Sequence, residues 1–416
     1  MDPTAELCRI RDSFASRDYP PLPTGVALDD ETRALPLVEA IEVAPVGEED
    51  LVHVTDPDRV YTLELRLAEI RMPLQREGRY DRVRDAANPF ENIGDSVFMN
   101  RAAVKLADLD ALYDLMNLES TATSGSGVSY LNRHIYVQDD TFKALDIAGG
   151  PGGFVEYLQY RRPSSRVFGT TLKSPDPSLN WNMCRIDSRG FTDLGGSGNL
   201  YTDTEWLITE MNRRSPTGVD LVTADGGFEE DFGRTRFGQS ALNTQSDEVD
   251  KRRLITAEWL LGLSALRPGG NMVVKHYQSH TRYSGDLLYL VAVAFEAMTV
   301  VKPVTSRPAN TECYVVAVGY RPREGESVRR ILLRAYKSFG ESTAPRSLLA
   351  SVPTPFLEWL RQRNDELLTL REQAVGLIES ARSGTVRHEY DLHRALIYWN
   401  LPGNADTEDD KTYCRT

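Results

Sequence analysis

The sequence predicts an α/β protein, a mostly parallel sheet covered by helices on both faces. Three observations carry this. Short apolar runs, FKALDI, VFGTTL, DLVTA and NMVVKHY, read as buried strands. Segments with apolar residues at helical spacing flank them, VFMNRAAVKLADLDALYDLM before the first run and SGDLLYLVAVAFEAM after the fourth. The first run also passes into a helix, VEYLQYRR, through a glycine-rich turn, and that junction is where open α/β sheets hold ligands.

Taken in order, residues 1–60 read as an irregular arm with short elements, rich in proline and acid (DYPPLPTG, VGEED). Within 51–75, LVHVTD and VYTLELRLAEI alternate apolar and polar positions and predict strands. Lys105 falls on the helix VFMNRAAVKLADLDALYDLM, which a Ser/Gly-rich loop, STATSGSGVS, follows. A long amphipathic stretch, roughly 238–266, ends at Arg267-Pro268-Gly269-Gly270, a helix stop. VVKPV and CYVVAVGY are a fifth and a sixth strand. A main domain over 61–325 then gives way to a helical extension over 326–416, containing VRRILLRAYKSF and PFLEWLRQRNDELLTLREQAVGLIES. The extension is expected either to pack on the main domain or to bind a protein partner.

Composition narrows the class. With 416 residues and 41% hydrophobic content, the chain suits one large domain with additions, or two. No window offers the roughly 20 apolar residues of a membrane span, and MDPTAELCRIRDSF lacks a secretory pattern, so a soluble intracellular protein is expected. Cys8, Cys184, Cys313 and Cys414 form no CxxC pair, which argues against a disulfide framework or a structural zinc site. A net charge of −13 weighs weakly against nucleic-acid binding. Residues 66–105 nevertheless carry Arg66, Arg71, Arg76, Arg79, Arg82, Arg84, Arg101 and Lys105, mixed with acids; they suit a local basic groove or a solvated charged surface equally.

The turn Asp146-Ile147-Ala148-Gly149-Gly150-Pro151-Gly152-Gly153-Phe154 lies between strand and helix. Glycines there allow positive φ and close backbone approach. A dinucleotide fingerprint fails: counted from Gly150 its last position is Val155, and counted from Gly149 its second is Pro151. The turn instead suits a ligand without phosphates, such as S-adenosylmethionine.

Three polar residues stand where strands should end. Asp225 follows DLVTA, Lys275 ends NMVVK, and Glu312 precedes CYVVAVGY. Strand ends at one sheet edge converge on one crevice, and a lysine at the end of a buried strand needs a partner. With Lys105 they form a candidate quartet.

NRAAVK, LDIAGGPGGFVEYL, ADGGF, VVKHY and TSRPANTECYVV resemble, in order, the motifs of the FtsJ-type ribose 2′-O-methyltransferases, and most closely the eukaryotic mRNA cap-specific branch. The resemblance covers roughly residues 60–330, with weaker similarity in PFLEWLRQRNDELL and RALIYWNLPG. It implies a Rossmann-like class I methyltransferase fold with a seven-stranded sheet, one strand antiparallel, although the sequence by itself shows about six. It implies that Lys105, Asp225, Lys275 and Glu312 are the catalytic tetrad. It implies that Ala148, Gly149, Gly150, Pro151, Gly152, Gly153 and Phe154 hold S-adenosylmethionine, with Asn199 standing where the family has an acid. Arg84, ahead of Asn88-Pro89-Phe90-Glu91, and Asn310 of SRPAN are implied substrate contacts. Arg234 and Arg236, in the loop after Asp225, are added as candidates for the RNA groove. Capped mRNA as partner, a monomer, nuclear localisation and no membrane or metal follow as expectations, without the G-patch and WW modules of larger relatives.

The chemistry fits these residue types. A ribose 2′-hydroxyl needs a base at the moment of attack. A lysine serves if its pKa falls toward neutrality through desolvation and a nearby cation. Lys275 is expected to be that base and Lys105 the cation, with Asp225 and Glu312 orienting both. Other readings are a 2′-O-methyltransferase acting on another cap-proximal nucleotide or on ribosomal or transfer RNA, and a non-catalytic RNA-binding scaffold. Amine methylation lacks its Asn-Pro-Pro-aromatic or Asp-Pro-Pro-aromatic segment, and pyrimidine C5 methylation lacks a suitably placed cysteine nucleophile.

Overall fold

A computed structural model of the chain describes residues 25–34, 36–45, 51–88, 90–91, 93, 98–116, 142–227, 248, 251–340, 342–385, 395–396, 399 and 401. Its central feature is a seven-stranded sheet built from β2 (Lys143–Ile147), β3 (Arg166–Thr170), β4 (Phe191–Asp193), β5 (Val219–Ala224), β6 (Leu266–Tyr277), β7 (Phe295–Val301) and β8 (Glu312–Tyr320). The spatial order is β4-β3-β2-β5-β6-β8-β7. All neighbours are parallel except β8, which is antiparallel to both β6 and β7. The chain runs outward from β2 through β3 to β4, then returns to lay β5 on the other side of β2. That reversal opens a crevice beyond the carboxyl ends of β2 and β5. The glycine turn follows β2 and Asp225 follows β5.

The period of two along each strand sorts side chains between the two faces. Leu145, Ile147, Val222, Ala224, Met272 and Val274 join one core. This core is covered by helices Leu200–Arg214 (α6), Arg252–Ala265 (α7), Arg282–Ala294 (α8) and Pro322–Lys337 (α9). The alternate residues Ala144, Leu221, Val273, Tyr314 and Val316 join the opposite core with helices Arg101–Tyr113 (α4) and Gly153–Arg161 (α5). By the same parity Asp225, Lys275 and Glu312 belong to the α4 face.

Several elements differ from the sequence expectation. The segment 51–75 is not stranded: Pro57–Arg76 is a helix (α2). Val60, Leu63, Leu67, Ile70 and Leu74 are its buried residues, a spacing of three and four. Asp56 caps it by accepting from the backbone N–H of Asp58 and Arg59, and Pro57 occupies its first turn, where its missing N–H costs nothing. A second short helix, Tyr80–Ala86 (α3), follows. The helix after β6 stops at Ala294, and FEAM belongs to β7. The helix stop falls as expected, α7 ending at Ala265, but Arg267-Pro268-Gly269-Gly270 is itself part of β6 rather than a turn before it. Of the stretch 238–266, the described part is Glu248 and residues 251–266, most of them in α7.

The arm carries short elements, and the extension holds a strand besides its helices. Within the arm, Asp30–Ala34 is a short helix (α1) and Glu39–Pro45 a strand (β1). In the extension, Thr343–Leu349 (β9) pairs antiparallel with β1 in a separate two-stranded sheet. The long helix Thr354–Arg382 (α10) packs across α2, α3 and α8. Phe356, Leu360, Leu367, Leu368, Ala374, Val375 and Ile378 are buried along it. Arg59 pairs with Glu372 and Arg371 with Glu64 across the α2–α10 contact.

Candidate active site

Lys105 projects from α4, whose first turn is capped by Asn100. Its ammonium lies 2.8 Å from Glu312 Oε1. The second oxygen of Glu312 lies 3.8 Å from the Lys275 ammonium, and Lys275 lies 2.9 Å from Asp225 Oδ1. The quartet is therefore one alternating chain, Lys105–Glu312–Lys275–Asp225, with side chains only 11–15% exposed. β-Sheet register produces it: Lys275 pairs with Tyr314 and Tyr277 with Glu312 across the β6–β8 ladder.

Tyr314, which sequence reasoning passed over, closes this chain into a ring. Its hydroxyl donates to Asp225 Oδ1 at 2.6 Å and accepts from Lys105 at 3.4 Å. The signal was present, since a residue two beyond Glu312 on a strand faces the same way. Ser306 was missed too; its hydroxyl donates to Glu312 Oε1 at 2.6 Å.

The electrostatics depart from expectation at Lys275. Burial opposes its charge, but Asp225, then Tyr277 and Glu312, outweigh burial and raise its pKa. Two carboxylates beside one ammonium do this, while the second lysine spends its charge on Glu312. For Glu312 burial is likewise the largest influence and is overcome, by Lys105 and Lys275, so its carboxyl is held well below the usual range. Burial, reinforced by Asp225 and Glu312, pushes the Tyr314 hydroxyl far above its ordinary value.

Two further carboxyls lie behind the ring. Asp146, at the end of β2, is fully buried and accepts from Thr223 Oγ1 at 2.7 Å. Glu258, on α7, is fully buried and accepts from the Gly226 N–H at 3.2 Å. Burial pushes each up to about 8.

The glycine turn is tight against the protein's own atoms. An added Cβ at Gly149 meets the Asp146 carboxylate, at Gly150 the carbonyl of Leu179 and the Thr171 hydroxyl, at Gly152 Ile186, and at Gly153 Asn100. Gly152 has φ +115° and Ala148 φ +55°. The glycines thus serve the close packing of the turn, beyond any approach to a ligand. Phe154 is buried in the α5 core. The 174–186 segment folds over the turn, with Asn182 N–H donating to the Pro151 carbonyl at 2.9 Å. Asp146 Oδ2 and Trp181 Nε1 are buried at this turn without a hydrogen-bond partner among the described residues. A carboxyl oxygen and an indole N–H left unserved beside the turn fit a small polar ligand.

The other expected residues are dispersed. Asn199 caps α6, accepting from the Tyr201 N–H at 2.9 Å. Arg84 is held by its helix neighbours Asp81 (2.9 Å) and Asp85 (2.8 Å), outside the ring. Asn310 accepts from Lys302 through its side chain at 2.7 Å. Arg234 and Arg236 lie outside the described residues. Tyr80 and Phe90, the aromatic residues on either side of Arg84 in the sequence, are both buried, and Phe90 packs on Trp399 with ring centroids 5.4 Å apart. Glu91 emerges as a junction: it accepts from Asn88, Arg101 and Arg307, tying α4 and the SRPAN loop to the segment after α3. Burial resists its charge, yet Arg307 and Arg101 hold its carboxyl down at about 2.

Residues 98–320 match the FtsJ-like methyltransferase family. The chain belongs to that family. It is 28% identical over 354 residues to the cap-specific mRNA (nucleoside-2′-O-)-methyltransferase 1 of Danio rerio, covering 78% of this chain and 40% of the relative. To the protein of the same name from Mus musculus it is 33% identical over 251 residues, covering 58% of this chain and 28% of that one. The Drosophila melanogaster counterpart is 31% identical over 241 residues, covering 56% and 28%. The chain thus spans well under half the length of these relatives.

Proposed function

We propose that this chain transfers a methyl group from S-adenosylmethionine to the ribose 2′-hydroxyl of a cap-proximal nucleotide of mRNA, the first transcribed nucleotide above all. The observation that carries this is the Lys105–Glu312–Lys275–Asp225 chain of ion pairs at the carboxyl edge of the β2–β5 switch point. The likeness to cap-specific relatives supports the choice of substrate.

Lys275 is the base and Asp225 holds it in place. Lys105 lies on the far side of Glu312 and keeps that carboxylate ionised. Ala148 to Phe154, with Asp146 and Asn199, form the wall that would hold the cofactor. When bound, S-adenosylmethionine supplies an activated methyl on a cationic sulfonium, and such a cation lowers the pKa of a lysine sharing its site. In the free site Lys275 rests as an ammonium. Its proton must leave before it accepts one from the hydroxyl, and the Asp225 carboxylate at 2.9 Å orients the amine. The ring otherwise works by orientation. Asn310, Arg84, Arg234 and Arg236 are proposed RNA contacts, with nuclear mRNA maturation as the setting.

The test is transfer of labelled methyl to short RNAs, capped and uncapped, with the modified nucleotide mapped. Wild type should methylate capped RNA, and Lys275→Ala should lower the rate by about 10²–10⁴-fold, the weight of a general base. Equal transfer to uncapped RNA, or a product mapped elsewhere, moves the substrate to another RNA. Wild-type activity in Lys275→Ala overturns the mechanism.

A further inference from the structure

Lys302 immediately follows β7 and is buried. Its ammonium donates to the Asn310 carbonyl at 3.0 Å, the Asn310 side-chain oxygen at 2.7 Å and the Glu312 carbonyl at 2.7 Å. Among the described residues no carboxylate lies within ion-pairing distance of it, so its charge is met by neutral acceptors alone. The SRPAN loop is held at other points too. The Val304 N–H donates to Asp108 at 2.9 Å, and Arg307 pairs with Glu91 at 2.7 Å. Lys302 touches both Asn310 and Glu312, joining the residue read as an RNA contact to a member of the ring.

We infer that Lys302 is a positioning residue whose ammonium locks the Asn310 side chain and the Glu312 main chain into one unit that RNA engages. This rests on the reading of Asn310 as an RNA contact and of Glu312 as part of the quartet. The match of donors to acceptors is the central point. An ammonium has three N–H groups for these three acceptors, whereas a neutral amine has two. Deprotonation therefore releases one acceptor and loosens the unit.

The surroundings bring that deprotonation into the working range. Burial, with the cations Arg371 of α10 and Lys105 of α4, lowers the pKa of Lys302 to about 7, against Glu312 and Cys313 of β8, which raise it. His280, which lines the same small cavity, is pushed down to about 3 by burial and stays neutral throughout. The unit is complete below about pH 7 and one hydrogen bond short above it.

The test measures binding of a fluorescent capped RNA by anisotropy from pH 6 to 9, with methyl transfer followed in parallel. Wild type, Lys302→Arg and Lys302→Gln are compared. Wild-type Kd should rise by roughly threefold to tenfold across pH 7, the weight of one hydrogen bond. Lys302→Arg, charged at every pH used, should bind as wild type does at pH 6 and lose that rise. Lys302→Gln should bind weakly and evenly across the range, with cofactor affinity by calorimetry unchanged. A wild-type Kd that is flat in pH, or a rise that persists in Lys302→Arg, overturns the inference. Should Lys302→Gln fail to bind cofactor, the other two proteins decide. RNA binding that follows Lys302 without methyl transfer by wild type sinks the functional reading and leaves the inference standing.

Discussion

Tyr314 reaches across β6 to donate a 2.6 Å hydrogen bond to Asp225, although β8 and β5 are not neighbours in the sheet. The side chain spans that strand because Lys275, its register partner on β6, also turns toward Asp225. Asp225 Oδ1 thus receives one charged and one neutral donor, and the tyrosine links it back to Lys105.

Tyr314→Phe keeps the ring and removes the hydroxyl. A hydrogen bond to a charged group is worth about 1.5–3 kcal/mol. If that stabilisation is expressed in the transition state, kcat should fall by roughly 10–100-fold, with cofactor affinity unchanged. Single-turnover methyl transfer measures it, and a kcat within twofold of wild type would show that Asp225 is held well enough by Lys275 alone.

Gly150→Ala places a methyl against the Leu179 carbonyl and the Thr171 hydroxyl, displacing the segment that folds over the turn. Overpacking of this kind costs about 1–3 kcal/mol. Calorimetry should show cofactor affinity weakened by roughly tenfold or more and a lowered Tm. An unchanged affinity would remove this turn from the cofactor site.

Glu258→Gln tests the buried acid beneath Asp225. The folded pKa of about 8 stands above the unfolded value, so the native state binds the extra proton. This group's contribution to stability is therefore fully present at low pH and is lost as pH rises toward and through about 8. The amide does not titrate. The Tm of the variant minus that of wild type should become more positive from pH 6 to pH 9. A difference that stays constant would show Glu258 already ionised in the folded protein.

Much of the site was legible because its residues sit at strand ends in a chain whose strands are strongly patterned. Asp225, Lys275 and Glu312 needed only the rule that carboxyl edges converge, and strand parity then points them at α4. The helix α2 was legible in principle: Asp56-Pro57 is a helix start, and Val60, Leu63, Leu67, Ile70 and Leu74 keep helical spacing. The local alternation in LVHVTD and VYTLELRLAEI competes with that longer period and misleads. β9 was not legible, since TAPRSLL becomes a strand by pairing with β1, some 300 residues earlier in the chain.

By itself the sequence determined the α/β class, the strand-to-helix turn at Ala148–Phe154, and the four polar residues that terminate or face the central strands. These follow from periodicity and from the rarity of charge in apolar runs, both local properties. Only the tertiary structure decided that the four form a ring closed by Tyr314, that Lys275 rests as a bound ammonium, and that Lys302 joins Asn310 to Glu312. Charge state and hydrogen-bond partners depend on which groups share a buried volume, and residues such as Lys105 and Glu312, far apart in the chain, share one only after the sheet has assembled.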